Sequence, residues 1–143
     1  MNTLRLATAA DLDWINARYA EIDFLPSDDS HVLVLAEVDG APAGMGRIVP
    51  TGAGTGELGG MYVLPAFQGR GLAQQIVRML LQQPGFDQLY CVPFAHLTAL
   101  YASLGFRPVG LDAQVPAEVA HKFQWCQGHY PQPVALMRWD RSA

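Results

Sequence analysis

Two glycines flanking an arginine, in Gln68-Gly69-Arg70-Gly71, stand directly before a helical stripe that opens Leu72-Ala73-Gln74. A helix start leaves its first four N–H groups without intrahelical partners, and the helix dipole adds partial positive charge there. Glycines lack the Cβ that would hold a pyrophosphate away from the backbone, and Arg70 can add a charge-assisted hydrogen bond. This arrangement suits a phosphate. The same glycines also serve simply to turn a chain from strand into helix, so the turn alone leaves both readings open. A nucleoside triphosphate loop is excluded, because no Gly-x-x-x-x-Gly-Lys-Ser/Thr occurs, and Gly69-x-Gly71 lacks the third position of a dinucleotide fingerprint. The run Gly52-x-Gly54-x-Gly56 lies between two strands with no helix behind it and reads as a hairpin loop.

Other reactive side chains form weaker sets. Cys91 and His96 have no recognisable third member for a covalent cysteine mechanism. His121, Cys126 and His129 are near one another in sequence but lack the paired spacing and fourth ligand of a zinc site, so no metal is expected. Trp125, Phe123 and Tyr130 in the same segment suit either a substrate wall or ordinary core packing. Asp23, Asp28 and Asp29, with Glu118, could draw in a cationic amine or merely solvate their loops.

The elements that must position these residues follow from periodicity. Leu4-Arg5-Leu6 predicts a first strand, and Thr8 with Asp11 predicts a capping-box helix start. Leu12, Ile15, Tyr19 and Ile22 then form one buried stripe, ended by Pro26. Val32 to Val38 and Ala43 to Val49 predict a hairpin about Asp39-Gly40, and Glu57 to Val63 predicts a further strand broken by Pro65. From Gly71 the period changes. Leu72, Ile76, Val77, Leu80 and Leu81 form a helical stripe that stops at Pro84-Gly85. Leu89 to Val92 predicts a strand, and a helix from about Ala95 carries Leu97, Leu100, Tyr101 and Leu104 to a cap at Gly105. A last helix has Pro116 as its first residue and runs to about Gln127, and Val134 to Trp139 predicts a closing strand. The fold class is α+β (mixed α/β), a central mixed sheet of six to seven strands flanked by helices in the order β-α-β-β-β-α-β-α-β-(α)-β.

At 143 residues a single domain, 1–143, is expected, and half the residues are hydrophobic against 15% charged, so the chain can bury a substantial core. The formal charge of −4 opposes a broad nucleic-acid-binding surface. The first twenty residues carry Arg5, Asp11, Asp13 and Arg18, unlike a signal peptide, and no apolar run approaches the length of a membrane span. Two cysteines without secretory context read as reduced thiols. A cytoplasmic protein with no nucleic-acid or membrane partner is expected.

The pattern Gln68-x-x-Gly71-x-Ala73, preceded by Val63-Leu64-Pro65 and followed by a helix, resembles the coenzyme A signature of the Gcn5-related N-acetyltransferase family, GNAT. Downstream, Ala99-Leu100-Tyr101-Ala102-Ser103-Leu104-Gly105-Phe106 is similar to that family's helix ending in a tyrosine, three residues and Gly-Phe. The resemblance covers roughly Leu4 to Val109.

The resemblance implies acetyl-CoA as acetyl-donor cosubstrate. Gln68, Gly69, Arg70, Gly71, Leu72, Ala73 and Gln74 would hold its pyrophosphate, and Met61, Tyr62 and Val63 would face pantetheine and the thioester. It makes Tyr101 the general acid, which is chemically reasonable because a phenol near pKa ~10 can protonate a departing thiolate; a core-facing aromatic is the alternative. Glu57 has a spacing to Gln68 that resembles the family's general base in its histone-modifying branch, against the reading of a solvated strand-start carboxylate. Gly59-Gly60 would mark close approach by the cofactor or a plain bulge. Related sequences often carry asparagine seven residues before the tyrosine, where this chain has Phe94. The implied activity is direct acetyl transfer to a primary amine of a small molecule or protein. A non-catalytic acyl-CoA-binding module would share the turn, and a helix-strand adaptor would not need it. A homodimer is compatible with the resemblance.

Overall fold

The computed structural model describes residues 1–142. In chain order the elements are β1 (Asn2–Leu6), α1 (Leu12–Glu21), β2 (Val32–Val38), β3 (Ala41–Gly52), β4 (Thr55–Val63), α2 (Leu72–Leu81), β5 (Gln88–Cys91), α3 (Thr98–Ser103), β6 (Arg107–Pro108), α4 (Ala117–His129) and β7 (Met137–Asp140). Single 3-10 turns at Ala9–Asp11, Pro65–Phe67 and Ala95–Leu97 lead into or between them. The seven strands form one sheet in the order β1-β2-β3-β4-β5-β7-β6, so the α+β class and element order agree with the sequence pattern. The chain divides into two compact units, each assembled from separated segments: Met1–Val49 with Gly59–Gln83, and Pro50–Leu58 with Pro84 onward.

In the first unit, β2 pairs antiparallel with both β1 and β3. Its sequence Val-Leu-Val-Leu-Ala-Glu-Val is a continuous apolar run, as a strand covered on both faces requires. On one face, Leu33, Leu35 and Met45 pack with Ile15 and Tyr19 of α1, and Trp14, Ile22 and Phe24 close over them. On the other, α2 presents Leu72, Ile76, Val77 and Leu80, all buried. The hairpin between β2 and β3 turns on Asp39 and Gly40, both at positive φ, which is the mirror-image turn that strand twist favours.

In the second unit, β4 and β5 are parallel, joining Thr55 to Gln88, Gly56 to Leu89 and Glu57 to Tyr90. The register ends there and does not pair Leu58 with Cys91. Antiparallel β7 borders β5, and β6 lies outside β7. Tyr90 and Leu136 pack against Val115 and Val119, which seats α4.

Several boundaries differ from the periodicity, among them those of β1, β4 and β5, which run Asn2–Leu6, Thr55–Val63 and Gln88–Cys91. β3 begins at Ala41 and continues past Pro50 to Gly52. The closing strand starts only at Met137, because Pro131 and Pro133 lack N–H donors; the preceding stretch instead crosses the chain after β5, with Ala135 N–H on Pro93 O and Ala95 N–H on Pro133 O, each at 2.8 Å. The first helix opens through a 3-10 turn in which Asp11 accepts from Thr8 N–H at 2.7 Å and takes both Nη atoms of Arg5 at 2.8 and 3.0 Å.

These bonds, led by the Arg5 guanidinium, hold the Asp11 carboxyl well below the usual carboxylate range. A lowered folded-state pKa contributes stability above the unfolded value near ~3.9 that is lost as pH falls. Asp11→Asn is expected to lower unfolding stability by about 1 kcal/mol at pH 7, with the difference from wild type shrinking below pH ~4, measured by urea denaturation.

Candidate functional site

The turn before α2 is an open cradle. Gly69 and Gly71 have φ of +80° and +77°, and a Cβ built on either would meet nothing within 4 Å. Gly71 is the N-cap of α2 in the left-handed conformation, a geometry that glycine adopts without steric cost. The first N–H to bond back into the helix is that of Gln75, to Gly71 O at 3.3 Å. The N–H groups of Leu72, Ala73 and Gln74 precede it and have no intrahelical acceptor. Gln68, Gly69, Arg70, Gly71 and Gln74 are exposed, while the Leu72 side chain anchors the helix in the core. The Arg70 guanidinium lies over the Phe67 ring, 5.5 Å from its centroid. An anionic group of pyrophosphate size fits this set: open backbone, free donors, a dipole and a cation.

The strand leading to the cradle is held by its neighbours. Gln68 Nε2 donates to Val63 O at 3.0 Å, tying the turn to the end of β4, and Leu64 N–H donates to Ala43 O at 2.8 Å. Met61, Tyr62 and Val63 are half-buried. Gly60 has φ +59°, and a Cβ there would lie 2.7 Å from Tyr19 Oη and 2.8 Å from Arg47 Nε. Tyr19 Oη donates to Gly60 O at 2.7 Å, and the Arg47 guanidinium sits over the Tyr19 ring, 4.6 Å from its centroid. At Gly60 the close approach is made by this protein's own tyrosine and arginine, a packing reason for that glycine beside the cofactor approach and the plain bulge that the sequence left open. Burial pushes the Tyr19 phenol up to about 12, opposed in part by the Arg47 charge.

In the second unit stand Glu57, Tyr101, Cys91 and Lys122. Tyr101 is buried in α3. Its ring meets Phe106 edge-on at 5.6 Å, and Phe106 N–H donates to Tyr101 O at 3.1 Å as the helix ends at Gly105, φ +101°. Burial raises the Tyr101 phenol above the tyrosine range, with a smaller contribution from Cys91, so it keeps its proton. The Cys91 thiol is also pushed up, by burial and then by the Glu57 carboxylate. Glu57 is largely buried and accepts from Lys122 Nζ of α4. Cys91 and Cys126 are both free and buried. His129 stacks on Trp125 at 4.2 Å, and Tyr130 meets Phe94 edge-on at 5.1 Å, so these aromatics pack on one another; Trp125 keeps 56% of its surface exposed.

Residues 3–106 match the model of the acetyltransferase (GNAT) family. The chain belongs to the GNAT acetyltransferase family. Over 106 residues it is 36% identical to the uncharacterized N-acetyltransferase YjgM of Escherichia coli K12, an overlap of 65% of this chain and 64% of that relative. Its fold is similar to that of Rv2747 from Mycobacterium tuberculosis, solved in complex with CoA, with TM-score 0.75, 19% identity, and 96% and 98% of the two chains covered. It is also similar to N-acetylglutamate synthase from Neisseria gonorrhoeae, solved with coenzyme A and L-arginine, with TM-score 0.73 and 15% identity; 97% of this chain covers 33% of that one. The chain thus spans under two thirds of YjgM and about a third of the synthase.

Of the twelve candidate residues in this GNAT chain, the first unit holds the ten donor-side ones, from Met61 to Gln74, and the second holds Glu57 and Tyr101. Sequence reasoning missed Arg47, Ser27 and Lys122. Arg47 had a visible signal, as the lone charge in the apolar run Ala43-Gly-Met-Gly-Arg-Ile-Val49. Lys122 had none, because its pairing with Glu57 spans 65 residues. Gly60→Ala must force a side chain into the Tyr19–Arg47 contact at a left-handed φ, and is expected to cost about 2–4 kcal/mol in urea unfolding.

Proposed function

We propose that this protein transfers acetyl from acetyl-CoA to a primary amine of a small molecule or protein, directly, within one ternary complex. Family membership supports acetyl transfer in general, and the open cradle from Gln68 to Gln74 is the observation that carries the donor half. Acetyl-CoA supplies the activated thioester. The N–H groups of Leu72, Ala73 and Gln74, with Arg70, hold the pyrophosphate, and Met61 to Val63 line the pantetheine arm.

In this reading the amine nitrogen attacks the thioester carbonyl, a C–N bond forms and the C–S bond breaks. Glu57 takes the amine proton, directly or through water. Tyr101 Oη returns a proton to the departing sulfur, and its raised pKa keeps that proton in place at neutral pH. The free, buried cysteines support a reducing, cytoplasmic setting.

Tyr101→Phe is expected to lower kcat by about 100-fold while leaving acetyl-CoA affinity unchanged, measured by thiol release and calorimetry. Because a raised pKa keeps the acid form as pH climbs, wild-type kcat/KM should show no Tyr101-dependent fall up to pH ~10, where an ordinary tyrosine ionises; a limb below that, absent in Tyr101→Phe, would keep Tyr101 as the acid but contradict its raised pKa. Gly71→Glu places a carboxylate at the cradle and should weaken acetyl-CoA binding by more than about 10-fold. Tight acetyl-CoA binding without turnover on any amine would instead favour the non-catalytic binding module.

A further inference from the structure

Arg47 projects from β3 and is 8% exposed, yet no carboxylate among the described residues pairs with it. A guanidinium keeps its charge at every physiological pH, and a buried charge without a counterion is costly. The protein compensates only partly. Nη1 donates to Leu25 O at 2.8 Å and to Ser27 Oγ at 2.7 Å, and the cation rests on the face of Tyr19. Nε and Nη2 make no hydrogen bond to the protein, and neither is among the fully buried, unpartnered atoms, so both reach solvent. Asp28 of the adjoining loop is engaged elsewhere: it accepts from Ser30 N–H at 2.8 Å and faces His31 Nε2 at 3.8 Å. Ser27 Oγ, itself buried, is shared between Arg47 and His31 Nδ1 at 3.1 Å.

The position of this cation matters as much as its charge. Nε lies 2.8 Å from where a Gly60 Cβ would stand, and Gly60 directly precedes Met61 to Val63, the segment proposed to line the thioester arm. A fork with two free N–H donors is the geometry that takes a carboxylate edge-on.

We infer that Arg47, positioned by Ser27, binds the carboxylate of the acceptor, so that the amine acetylated belongs to an amino-acid-like zwitterion and not to a polycation. The inference rests on the proposed acetyl transfer and names the substrate class of that reaction. It also reassigns recognition from the acidic loop around Asp28 to the arginine behind it.

The test follows thiol release from acetyl-CoA with a panel of amino acids, each beside its primary amide and its decarboxylated amine. At least one acid should be turned over with kcat/KM about 100-fold or more above its partners, since a site built to bond a polar group rejects analogues that lack it. Arg47→Gln should bring that ratio near one while the KM for acetyl-CoA holds. Ser27→Ala, which keeps the cation, should narrow it severalfold. A clamp that merely holds the Leu25–Ser27 loop would leave the ratio unchanged, and that result in folded variants overturns the inference. So does wild-type protein that prefers amides or plain amines, or turns over no acid on the panel. Calorimetry separates the two layers: if acetyl-CoA itself does not bind, the proposed function falls, whereas binding with the wrong acceptor preference removes only the Arg47 assignment.

Discussion

Three backbone N–H groups at the start of α2, those of Leu72, Ala73 and Gln74, have no acceptor inside their own helix. Everything around them follows from keeping those donors open and correctly aimed. Gly69 and Gly71 take positive φ so the chain can reverse into the helix without side chains over the donors. Leu72, Ile76, Val77 and Leu80 fix the helix axis by burial against the sheet. Gln68 ties the turn back to the carbonyl of Val63 at the end of β4. A mobile turn would spend binding free energy on ordering; this one is ordered by its own hydrogen bonds and by its helix.

Much of this was readable from residue types. Period 3.6 from Leu72 onward, glycines at the turn and Pro65 at the strand end locate the cradle to within a residue, because each acts through local backbone geometry. The Asp39-Gly40 hairpin was legible for the same reason. The closing strand was not, since Val134 has a strand-like residue type while Ala135 N–H donates to Pro93 O and Pro133 O accepts from Ala95 N–H. Side-chain partnerships were the least legible. Tyr19 with Gly60, Arg47 with Ser27, and Glu57 with Lys122 join residues 20 to 65 positions apart, and no local pattern encodes such pairs.

Those long-range pairs change how single residues are understood. Gly60 is a packing requirement of Tyr19 and Arg47. Glu57 is a carboxylate held against an ammonium, not one lying free at a strand start. Tyr101 is buried, as a core aromatic would be, and that burial is also what keeps its proton. Structural and chemical roles coincide in it, because removal from water both packs the ring and penalises the phenolate.

The central claim is that the open N–H groups of α2 take the pyrophosphate of a CoA thioester. Amide chemical shifts recorded by NMR during titration with CoA, and separately with pantetheine, which lacks the pyrophosphate, test it most directly. The account predicts that the amides of Gly69 and of Gly71 through Gln74 shift strongly with CoA and stay nearly unmoved with pantetheine. Equal responses to the two ligands, or CoA-induced shifts confined to residues outside this turn, would contradict it.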